Sequence, residues 1–532
     1  MRVKKSCFSF IDLFSGIGGF KIALENNGGE SLGFSEINKD AIASYCENFT
    51  ESHMNNFGDI TKIKDLPPHD LLTAGVPCQS WSIAGRNLGF DDDRGQLWND
   101  TVYLLQQSKP KAFIFENVKG LVDPRNKNNL LYILDRIKEA GYYANYHIIN
   151  SQDHGVPQSR VRVYIIGFRD KEYFNKFHIP LTSNEKINLA DILGIETPNI
   201  PPLKENLQQD LFAEPIPVKS MSLSSKNGLN DYFLFNDLRN GNTTIHSWDI
   251  IKTSKRQKDI CYLLLKNRRK SAYGRLDGNP LSLDHFQSID STISIEELNQ
   301  LVQLKILKTE EYLFTLNNSY KAELSEIEQK LFEYINKNQF VIDDLKVNRE
   351  LKRNTMPILK TIESLKKKGV IKCTEIRYEF KNTKISTGLF GVNRIFLPSS
   401  DIFPTLVASN SNDYITLETL TPTNIDDYKK KFIEEVYKTG KYRKITKSEA
   451  CLIQGFPKSF ALPESRARWM KLIGNSVSVP VIEALCKAIL DTGVFKQEET
   501  HQKNPQQTAI SGTPFAAKVA PLTSAADFGV MF

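Results

Sequence analysis

Short apolar runs alternate with amphipathic stretches over roughly the first third of the chain. The apolar runs have the length of β-strands and occupy residues 8–13, 31–35, 70–74, 112–115, 144–149 and 161–168. Helical patterns lie between them at residues 21–27, 39–49, 96–107 and 129–140. This alternation predicts an α/β domain over residues 1–180, with a Rossmann-like, doubly wound, mostly parallel sheet and helices on both faces.

The pattern changes twice more along the chain. Residues 181–440 mix loops rich in Pro, Asn and Ser with charged helices, and no internal repeat is evident. Residues 441–495 regain order, with an apolar helical run near their end. Residues 496–532 are rich in Gln, Ala, Thr and Ser without periodicity, which predicts a disordered tail.

Composition places the chain among ordinary globular proteins. Of its 532 residues, 40% are hydrophobic and 25% are charged, and the net charge of +7 permits nucleic-acid binding without demonstrating it. No run approaches the roughly 18 apolar residues of a membrane helix, and Asp12 and a glycine loop stand where a signal peptide would need its cleavage site. We therefore expect a cytoplasmic protein.

Seven scattered cysteines without a CxxC pair predict neither a disulfide framework nor a metal site.

Unusual residues fall where ligands bind in doubly wound sheets, beyond the carboxyl ends of the strands. The first strand runs into DLFSGIGGF, whose glycines let the backbone approach a ligand closely. Glu36 ends the second strand about 20 residues later, where an acid can hold ribose hydroxyls. No GxxxxGK[ST] motif is present, so a nucleoside cofactor without a pyrophosphate fits better than ATP. A tight turn beside a solvent-facing acid is the alternative.

A cysteine follows the third strand in GVPCQSWS, where Pro77 makes the loop rigid and Cys78 lies beyond the strand end. Glu116 closes the strand FIFENV, and Arg160 and Arg162 alternate in QSRVRV. A buried cysteine, a surface acid and a solvent-facing strand are the plain alternatives. A nucleophile, an acid and two cations meeting in one cleft would nevertheless form a chemically coherent set.

Taken in order, these blocks resemble the C5-cytosine-specific DNA methyltransferases of bacterial restriction-modification systems, which use S-adenosylmethionine. The matching blocks are DLFSGIGGF, GFSEIN, GDIT, GVPCQS, FENVKG, QSRVRV, RKITKSEACLIQGFP and GNSVSVPV, within residues 8–168 and 441–490. The resemblance implies that residues 1–180 and 441–495 form one catalytic domain. It also implies that residues 181–440 form a separate target-recognition domain.

The resemblance further implies a role for each catalytic residue. Cys78 would add to C6 of cytosine as a thiolate, which makes C5 able to accept a methyl group. Glu116 would contact the N3 and amino edge of the base, Arg162 would bind O2, and Arg160 would assist nearby. The acceptor of the C5 proton is not identified, and water is one possibility.

The resemblance implies a cofactor pocket as well. Phe14 would stack near the adenine of S-adenosylmethionine, Asp59 would meet its amino group, and Asn475 would close the pocket. The full set of implied cofactor-binding residues is Phe14, Gly16, Gly18, Glu36, Ile37, Asp59, Pro77 and Asn475. No metal is implied.

Binding to duplex DNA would require the target base to be flipped out of the stack. Residues 251–275 carry nine Lys or Arg and one acid, and we expect them to face phosphates, although a solvated helix face is the alternative. Three amphipathic helices and a hairpin predict a winged-helix-like insertion at residues 321–390. Its Lys366, Lys367 and Lys368 would contact the DNA backbone, while a helical packing module without DNA contacts is an equal alternative.

These expectations define the predicted function as methylation of duplex DNA by a monomer that is paired with a restriction endonuclease and not associated with a membrane. An RNA (tRNA) methyltransferase of the same architecture is one alternative, which the long recognition region disfavours. A non-catalytic DNA-binding relative is another, which the presence of Cys78 and Glu116 disfavours.

Overall fold

A computed structural model describes most of the chain. The described residues are 7–50, 53–77, 93–182, 187–196, 232–234, 245–274, 278–317, 319–335, 338–348, 350–351, 357–381, 394–408 and 413–496. Cys78 and the predicted disordered tail lie outside these ranges, apart from the first tail residue.

A six-stranded mixed sheet forms the centre of the first domain. The strands of this part are β1 (Phe8–Leu13), β2 (Gly29–Ser35), β3 (Leu71–Gly75), β4 (Ala112–Val118), β5 (Tyr143–Asn150), the short β6 (Gln158–Ser159) and β7 (Val161–Phe168). Their order in the sheet is β2-β1-β3-β4-β7-β5, and β7 alone runs antiparallel to its neighbours. The predicted α/β class with a mostly parallel sheet is therefore confirmed.

Helices cover both faces of this sheet. They are α1 (Gly19–Asn26), α2 (Lys39–Phe49), α3 (Asp93–Ser108) and α4 (Lys127–Glu139), followed by the short α5 (Lys171–Lys176) and α6 (Leu189–Leu193). Alternate residues of β4 enter two different apolar clusters, Ile114 on one face and Phe113 and Phe115 on the other. This double burial is why the strands read as continuous apolar runs in the sequence. Asn38 caps α2 through its side chain, as the sequence predicts.

The middle of the chain contains the same series of elements twice. After β8 (Tyr232–Leu234) and α7 (Ser247–Ile250), the first series is α8 (Lys255–Asn267), β9 (Leu281–Ser282), α9 (Leu283–Ile289), α10 (Ile295–Gln303) and β10 (Leu307–Leu316). The second series is α11 (Glu326–Phe332), β11 (Gln339–Val341), α12 (Ile342–Val347), α13 (Ile358–Lys367) and β12 (Ile371–Phe380). We call these series repeat A and repeat B.

The two repeats share one four-stranded antiparallel sheet of order β11-β10-β12-β9. Each short strand pairs with the long strand of the other repeat, so neither repeat has a sheet of its own. The three predicted helices of residues 321–390 are present, but the predicted hairpin after them is wrong because residues 371–380 form one continuous strand. The sequence shows no evident repeat, so this repetition is found only in the structure.

Three short strands form a further small sheet. It consists of β8, β13 (Arg394–Phe396) and β15 (Asp413–Ile415), while β14 (Phe403–Pro404) pairs with β6. The helix α14 (Ile425–Lys431) and the π-helical turn Phe432–Tyr437 pack against this sheet through an apolar cluster that also includes Ile245.

The last helices return to the first domain. They are α15 (Lys447–Gln454), α16 (Arg466–Asn475) and α17 (Val479–Asp491), and they share an apolar cluster with β1 and α1. Residues 466–491 have the length and hydropathy of a membrane span, but they form two helices, and 67% of the most apolar window is buried inside the protein. Burial of this kind is typical of core helices.

Candidate active site

The carboxyl ends of four parallel strands lie level at one edge of the sheet. Leu13 at the end of β1 pairs with Ser35 and with Ala74, and Ala74 pairs in turn with Phe115. The loops that follow β1, β2 and β3 therefore begin at the same edge, next to the last residues of β4. These loops and strand ends contain most of the predicted site residues.

The loop after β1 has the backbone conformation that its glycines permit. Phe14, Gly16 and Gly18 all have positive φ angles, of 53°, 57° and 89°. A Cβ atom at Gly18 would lie 2.3 Å from a ring carbon of Phe49, whereas one at Gly16 would meet no atom within 4 Å. Gly18 is therefore required for packing as well as for backbone conformation, and Gly16 leaves open space at the edge of the sheet.

Glu36 joins the end of β2 to this loop. One carboxylate oxygen accepts a hydrogen bond of 2.9 Å from the backbone N–H of Gly16, and the other accepts from the N–H groups of Ile37 and Asn38 at 2.8 Å each. The Ile37 side chain beside it is 70% exposed. A carboxylate next to an exposed apolar side chain is a suitable pair for a ribose and a flat apolar ring.

Sequence reasoning missed Asn56, which holds this corner. Its Oδ1 accepts from the backbone N–H of Glu36 at 3.1 Å and of Gly58 at 2.9 Å, and its Nδ2 donates to the carbonyl oxygen of Glu36 at 2.9 Å. Asp59 follows directly and caps a short 3-10 helix by accepting two hydrogen bonds from Thr61. These bonds lower the pKa of Asp59, so the carboxyl is ionised at neutral pH.

The chain before Cys78 is fixed from the neighbouring strand. Val76 is buried, Pro77 is partly buried, and Cys78 comes next in the sequence. The Nδ2 of Asn117, at the end of β4, donates a buried hydrogen bond of 3.2 Å to the carbonyl oxygen of Val76. Asn117 was not among the predicted site residues, although it lies in the ENV block beside Glu116.

Glu116 and Arg162 meet at the same edge. The Nε of Arg162 lies 3.0 Å from Oε1 of Glu116, and only 15% and 11% of the two side chains are exposed. Burial raises the pKa of the Glu116 carboxyl, and the positive charges of Arg162 and Arg160 oppose that rise. An acid with a raised pKa beside a cation can exchange a proton or a hydrogen bond with a polar ring edge.

Arg160 has a different environment from the one implied by the sequence. Its guanidinium is almost fully buried and donates to the carbonyl oxygens of Leu406 at 3.2 Å, Gly474 at 3.1 Å and Ser476 at 2.7 Å. The structure therefore places Arg160 between the segment after β14 and the turn after α16. Its electrostatic effect on Glu116 is consistent with the predicted catalytic assistance, which stays a prediction.

Gln158 belongs to the same buried network, and sequence reasoning did not identify it. Its Nε2 donates to the carbonyl oxygen of Ile453 at 3.1 Å and to Oε1 of Gln454 at 2.8 Å. Gln454 in turn donates to the carbonyl oxygen of Ser476 at 2.9 Å. In the sequence, the one feature that could have pointed to Gln158 is its place as the first residue of the QxRxR pattern.

The turn after α16 lies beside the glycine loop. Asn475 is exposed there, and a Cβ atom at Gly19 would lie 2.8 Å from a methyl carbon of Val477. The predicted cofactor-binding residues from the two ends of the chain therefore share one neighbourhood. Their individual contacts with a cofactor stay predictions.

The chain is similar in sequence to known methyltransferases. A sequence model of the C-5 cytosine-specific DNA methylase family matches residues 8–306 and 296–491. The Type II methyltransferase M.HgiBI of Herpetosiphon aurantiacus is 40% identical over 493 residues, which are 92% of this chain and 98% of that protein. The Type II methyltransferase M.NlaIV of Neisseria lactamica is 28% identical over 512 residues, which are 91% and 99% of the two chains. The solved structure of the Entamoeba histolytica methyltransferase EhMeth aligns with 92% of this chain and 98% of its own, with 15% identity and a TM-score of 0.43.

Proposed function

The chain belongs to the C-5 cytosine-specific DNA methylase family, and from that premise we propose how its residues act on a cytosine. It is a DNA (cytosine-5) methyltransferase of the Type II restriction-modification kind. The contact of 3.0 Å between Arg162 and Glu116 carries the proposal, because it brings a cation and an acid to the edge where the chain enters Cys78. A cytosine flipped out of the duplex would be held there by its polar edge.

Cys78 is the nucleophile in this proposal. Its thiolate forms a bond to C6 of the cytosine, and the ring electrons move toward C5 and N3. Glu116 faces N3 and the amino group, where its raised pKa allows it to donate a hydrogen bond as negative charge develops on the ring. Arg162 binds O2. After methylation, loss of the C5 proton to a base and breakage of the bond from sulfur to C6 release the enzyme.

The family uses S-adenosylmethionine as methyl donor, and several residues of this site fit it. The carboxylate of Glu36 accepts three backbone hydrogen bonds, which leaves about one acceptor site for a ribose hydroxyl. Ile37 offers an exposed apolar surface for the adenine, and Gly16 leaves room for close approach. Phe14, Gly18, Asp59, Pro77 and Asn475 complete the proposed pocket. When bound, the cofactor supplies an electrophilic methyl group.

DNA phosphates are proposed to contact the helix α8 and the residues that follow it. Two of the cations in the basic segment 251–275 are neutralised within the protein, which leaves fewer positive charges for DNA. Arg256 pairs with Asp290 and Glu297, and buried Arg268 pairs with Glu379. Exposed cations lie at both ends of α8, namely Lys252, Lys255, Lys266 and Lys270. Helix geometry separates the two ends by about 20 Å, which is enough to contact several phosphates.

We also infer the setting in which the enzyme acts. A Type II methyltransferase protects host DNA, so a restriction endonuclease with the same recognition sequence is the expected functional partner. We propose that the enzyme works as a monomer in the cytoplasm, with target recognition in residues 181–440 and catalysis in the remainder. The matching family model is that of cytosine-specific DNA methylases, and the sequence relatives are named Type II methyltransferases, which favours DNA over tRNA as the substrate.

Methyl transfer from tritiated S-adenosylmethionine to duplex DNA and to tRNA tests the activity, and bisulfite sequencing locates the product. Duplex DNA with 5-fluorocytosine at the target tests the covalent step, because fluorine cannot leave as a proton does. We expect the wild type to form an adduct that survives denaturation and Cys78→Ser to form none. Methylation of DNA without such an adduct would overturn the role of Cys78, and transfer to tRNA alone would overturn the substrate.

A further inference from the structure

Repeats A and B are related by an internal twofold axis in their shared sheet. Leu307 at the start of β10 pairs with Phe380 at the end of β12, and Leu316 at the end of β10 pairs with Ile371 at the start of β12. The start of each long strand therefore faces the end of the other. The two long strands are therefore equivalent, with Leu307 matching Ile371 and Leu316 matching Phe380.

The turns before these strands confirm the equivalence. Lys305 and Gly369 both have positive φ angles, of 60° and 69°. In each turn the residue that follows donates a backbone hydrogen bond to a leucine at the end of the preceding helix, Ile306 to Leu301 at 3.1 Å and Val370 to Leu365 at 3.0 Å. The helices α10 and α13 thus occupy the same position in the two repeats.

The helix α10 follows α9 as α13 follows α12, and in each repeat the long strand comes next. This is the order of a helix-turn-helix unit, in which the second helix of the pair enters the major groove of DNA. Both second helices carry an exposed apolar residue in their first turn, Ile295 at 45% and Leu359 at 63%. The two repeats therefore present the same kind of helix, and their exposed polar residues can be compared position by position.

In each repeat an ion pair links the first helix to the second helix of the helix-turn-helix unit or to the residue just after it. The positive and negative partners are exchanged between the two repeats. In repeat A, Arg256 of the first helix lies 2.9 Å from Glu297 of α10. In repeat B, Glu328 of the first helix lies 2.6 Å from Lys368, just after α13. Lys366 is likewise held by Glu311 at 2.5 Å. All three lysines predicted to contact DNA therefore have carboxylate partners within the protein, and the third, Lys367, lies 3.6 Å from Glu363 in a solvent-exposed pair.

The exposed stripes that remain differ in chemistry. The exposed polar residues of α10 are Glu296, Asn299, Gln300 and Gln303, and the equivalent residues of α13 are Lys360, Glu363, half-buried Ser364 and Lys367. The α10 stripe carries three amides, one acid and no cation. The α13 stripe carries two lysines and one acid, and Lys367 is 77% exposed although it lies 3.6 Å from Glu363.

From this difference we infer that the two repeats divide the recognition of duplex DNA, with α10 reading base edges and α13 binding phosphates. Glutamine amides form paired hydrogen bonds with adenine, and a glutamate accepts from the cytosine amino group, so the α10 stripe suits the major groove. Lysines at equivalent positions supply charge to the DNA backbone without reading sequence. The inference rests on the proposed DNA methyltransferase activity and assigns its sequence specificity to α10.

Two double variants of the full-length enzyme test the inference as matched controls for each other. Gln300→Ala/Gln303→Ala and Lys360→Ala/Lys367→Ala change exposed residues of the two equivalent helices, so both should keep the wild-type melting temperature. Each variant is incubated with S-adenosylmethionine and a randomised duplex library, and methylated sequences are read by bisulfite sequencing. Affinity for the preferred duplex is measured between about 50 and 200 mM salt, because the slope of log affinity against log salt concentration reports the number of phosphate contacts.

We expect the glutamine variant to methylate additional sequences, with discrimination at one or two base pairs reduced about tenfold and the salt dependence unchanged. We expect the lysine variant to keep the wild-type sequence preference and to lose about two units of salt slope. An unchanged preference in the glutamine variant, or an unchanged slope in the lysine variant, would overturn the division of labour. A wild type that methylates no DNA would instead overturn the proposed function.

Discussion

Asn117 holds Val76 through a buried hydrogen bond of 3.2 Å from its side-chain amide to the Val76 carbonyl oxygen. The strand that ends with the proposed acid therefore also fixes the chain two residues before the proposed nucleophile. The proposed acid and the backbone that leads to the proposed nucleophile are therefore held by the same strand end.

Replacing Asn117 by Asp tests this link. The variant keeps an acceptor for the backbone N–H of Val118, which Asn117 now bonds at 2.8 Å, but it removes the donor to Val76. We expect the single-turnover rate to fall at least tenfold, since small displacements of a nucleophile are costly, with little change in cofactor affinity. Asn126→Asp is the control, because it removes a buried bond to Gly120 elsewhere. Equal rate losses in both variants would show a general packing effect.

Glu116→Gln should slow the chemical step far more than it weakens cofactor binding. The amide keeps the shape of the side chain but loses the charge that pairs with Arg162 and the proton held by a carboxyl of raised pKa. Single-turnover methylation and equilibrium binding of S-adenosylhomocysteine separate the two effects. A variant that methylates as fast as the wild type would remove Glu116 from the mechanism.

Arg160 and Arg162 should give opposite phenotypes when each is replaced by Met. Arg160→Met leaves three carbonyl oxygens without their buried donor, so we expect a loss of about 3 kcal/mol or more in unfolding free energy. Arg162→Met should lower the methylation rate with a smaller stability loss. Urea denaturation and single-turnover assays compare them. A stable Arg160→Met enzyme that fails only in catalysis would instead support the catalytic assistance that the resemblance implies for Arg160.

Much of the catalytic domain could be predicted because its signals are local. Apolar runs set the strands, Asn38 lies where a cap is needed, and Glu36 ends its strand. The corner residue Asn56 could not be predicted, because its importance comes from a loop that only folding brings back to β2. Asn117 was adjacent to a predicted residue, but its partner Val76 is distant in sequence.

The repeats were invisible in the sequence for a related reason. Equivalent positions share burial and backbone conformation, not residue identity. Lys305 and Gly369 occupy the same turn with different side chains, and the helix-to-helix ion pair has reversed polarity in the two repeats. Strand pairing between the repeats, together with the matching turns, shows that they are equivalent.

The buried acid Asp12 should make folding stability depend on pH. Burial raises its pKa to about 8, and the negative charge of Glu36 adds to the rise, while a hydrogen bond of 3.0 Å from Thr73 and the charge of Lys21 oppose it. The folded protein thus prefers the neutral acid. This contribution to stability is fully present below the unfolded pKa, near 4, and it is lost as the pH rises to about 8.

Asp12→Asn removes this dependence and keeps an oxygen that can accept from Thr73. We expect the unfolding free energy of the variant to rise relative to that of the wild type by up to about 1.4 kcal/mol for each pH unit between 4 and 8. This is the free energy that corresponds to one pKa unit. Urea denaturation of both proteins without cofactor, at several pH values in that window, measures the difference. Thr73→Val, which removes only the hydrogen bond, should leave the pH dependence in place because burial is its main cause. A constant difference between Asp12→Asn and wild type across the window would mean that Asp12 is ionised in the folded protein.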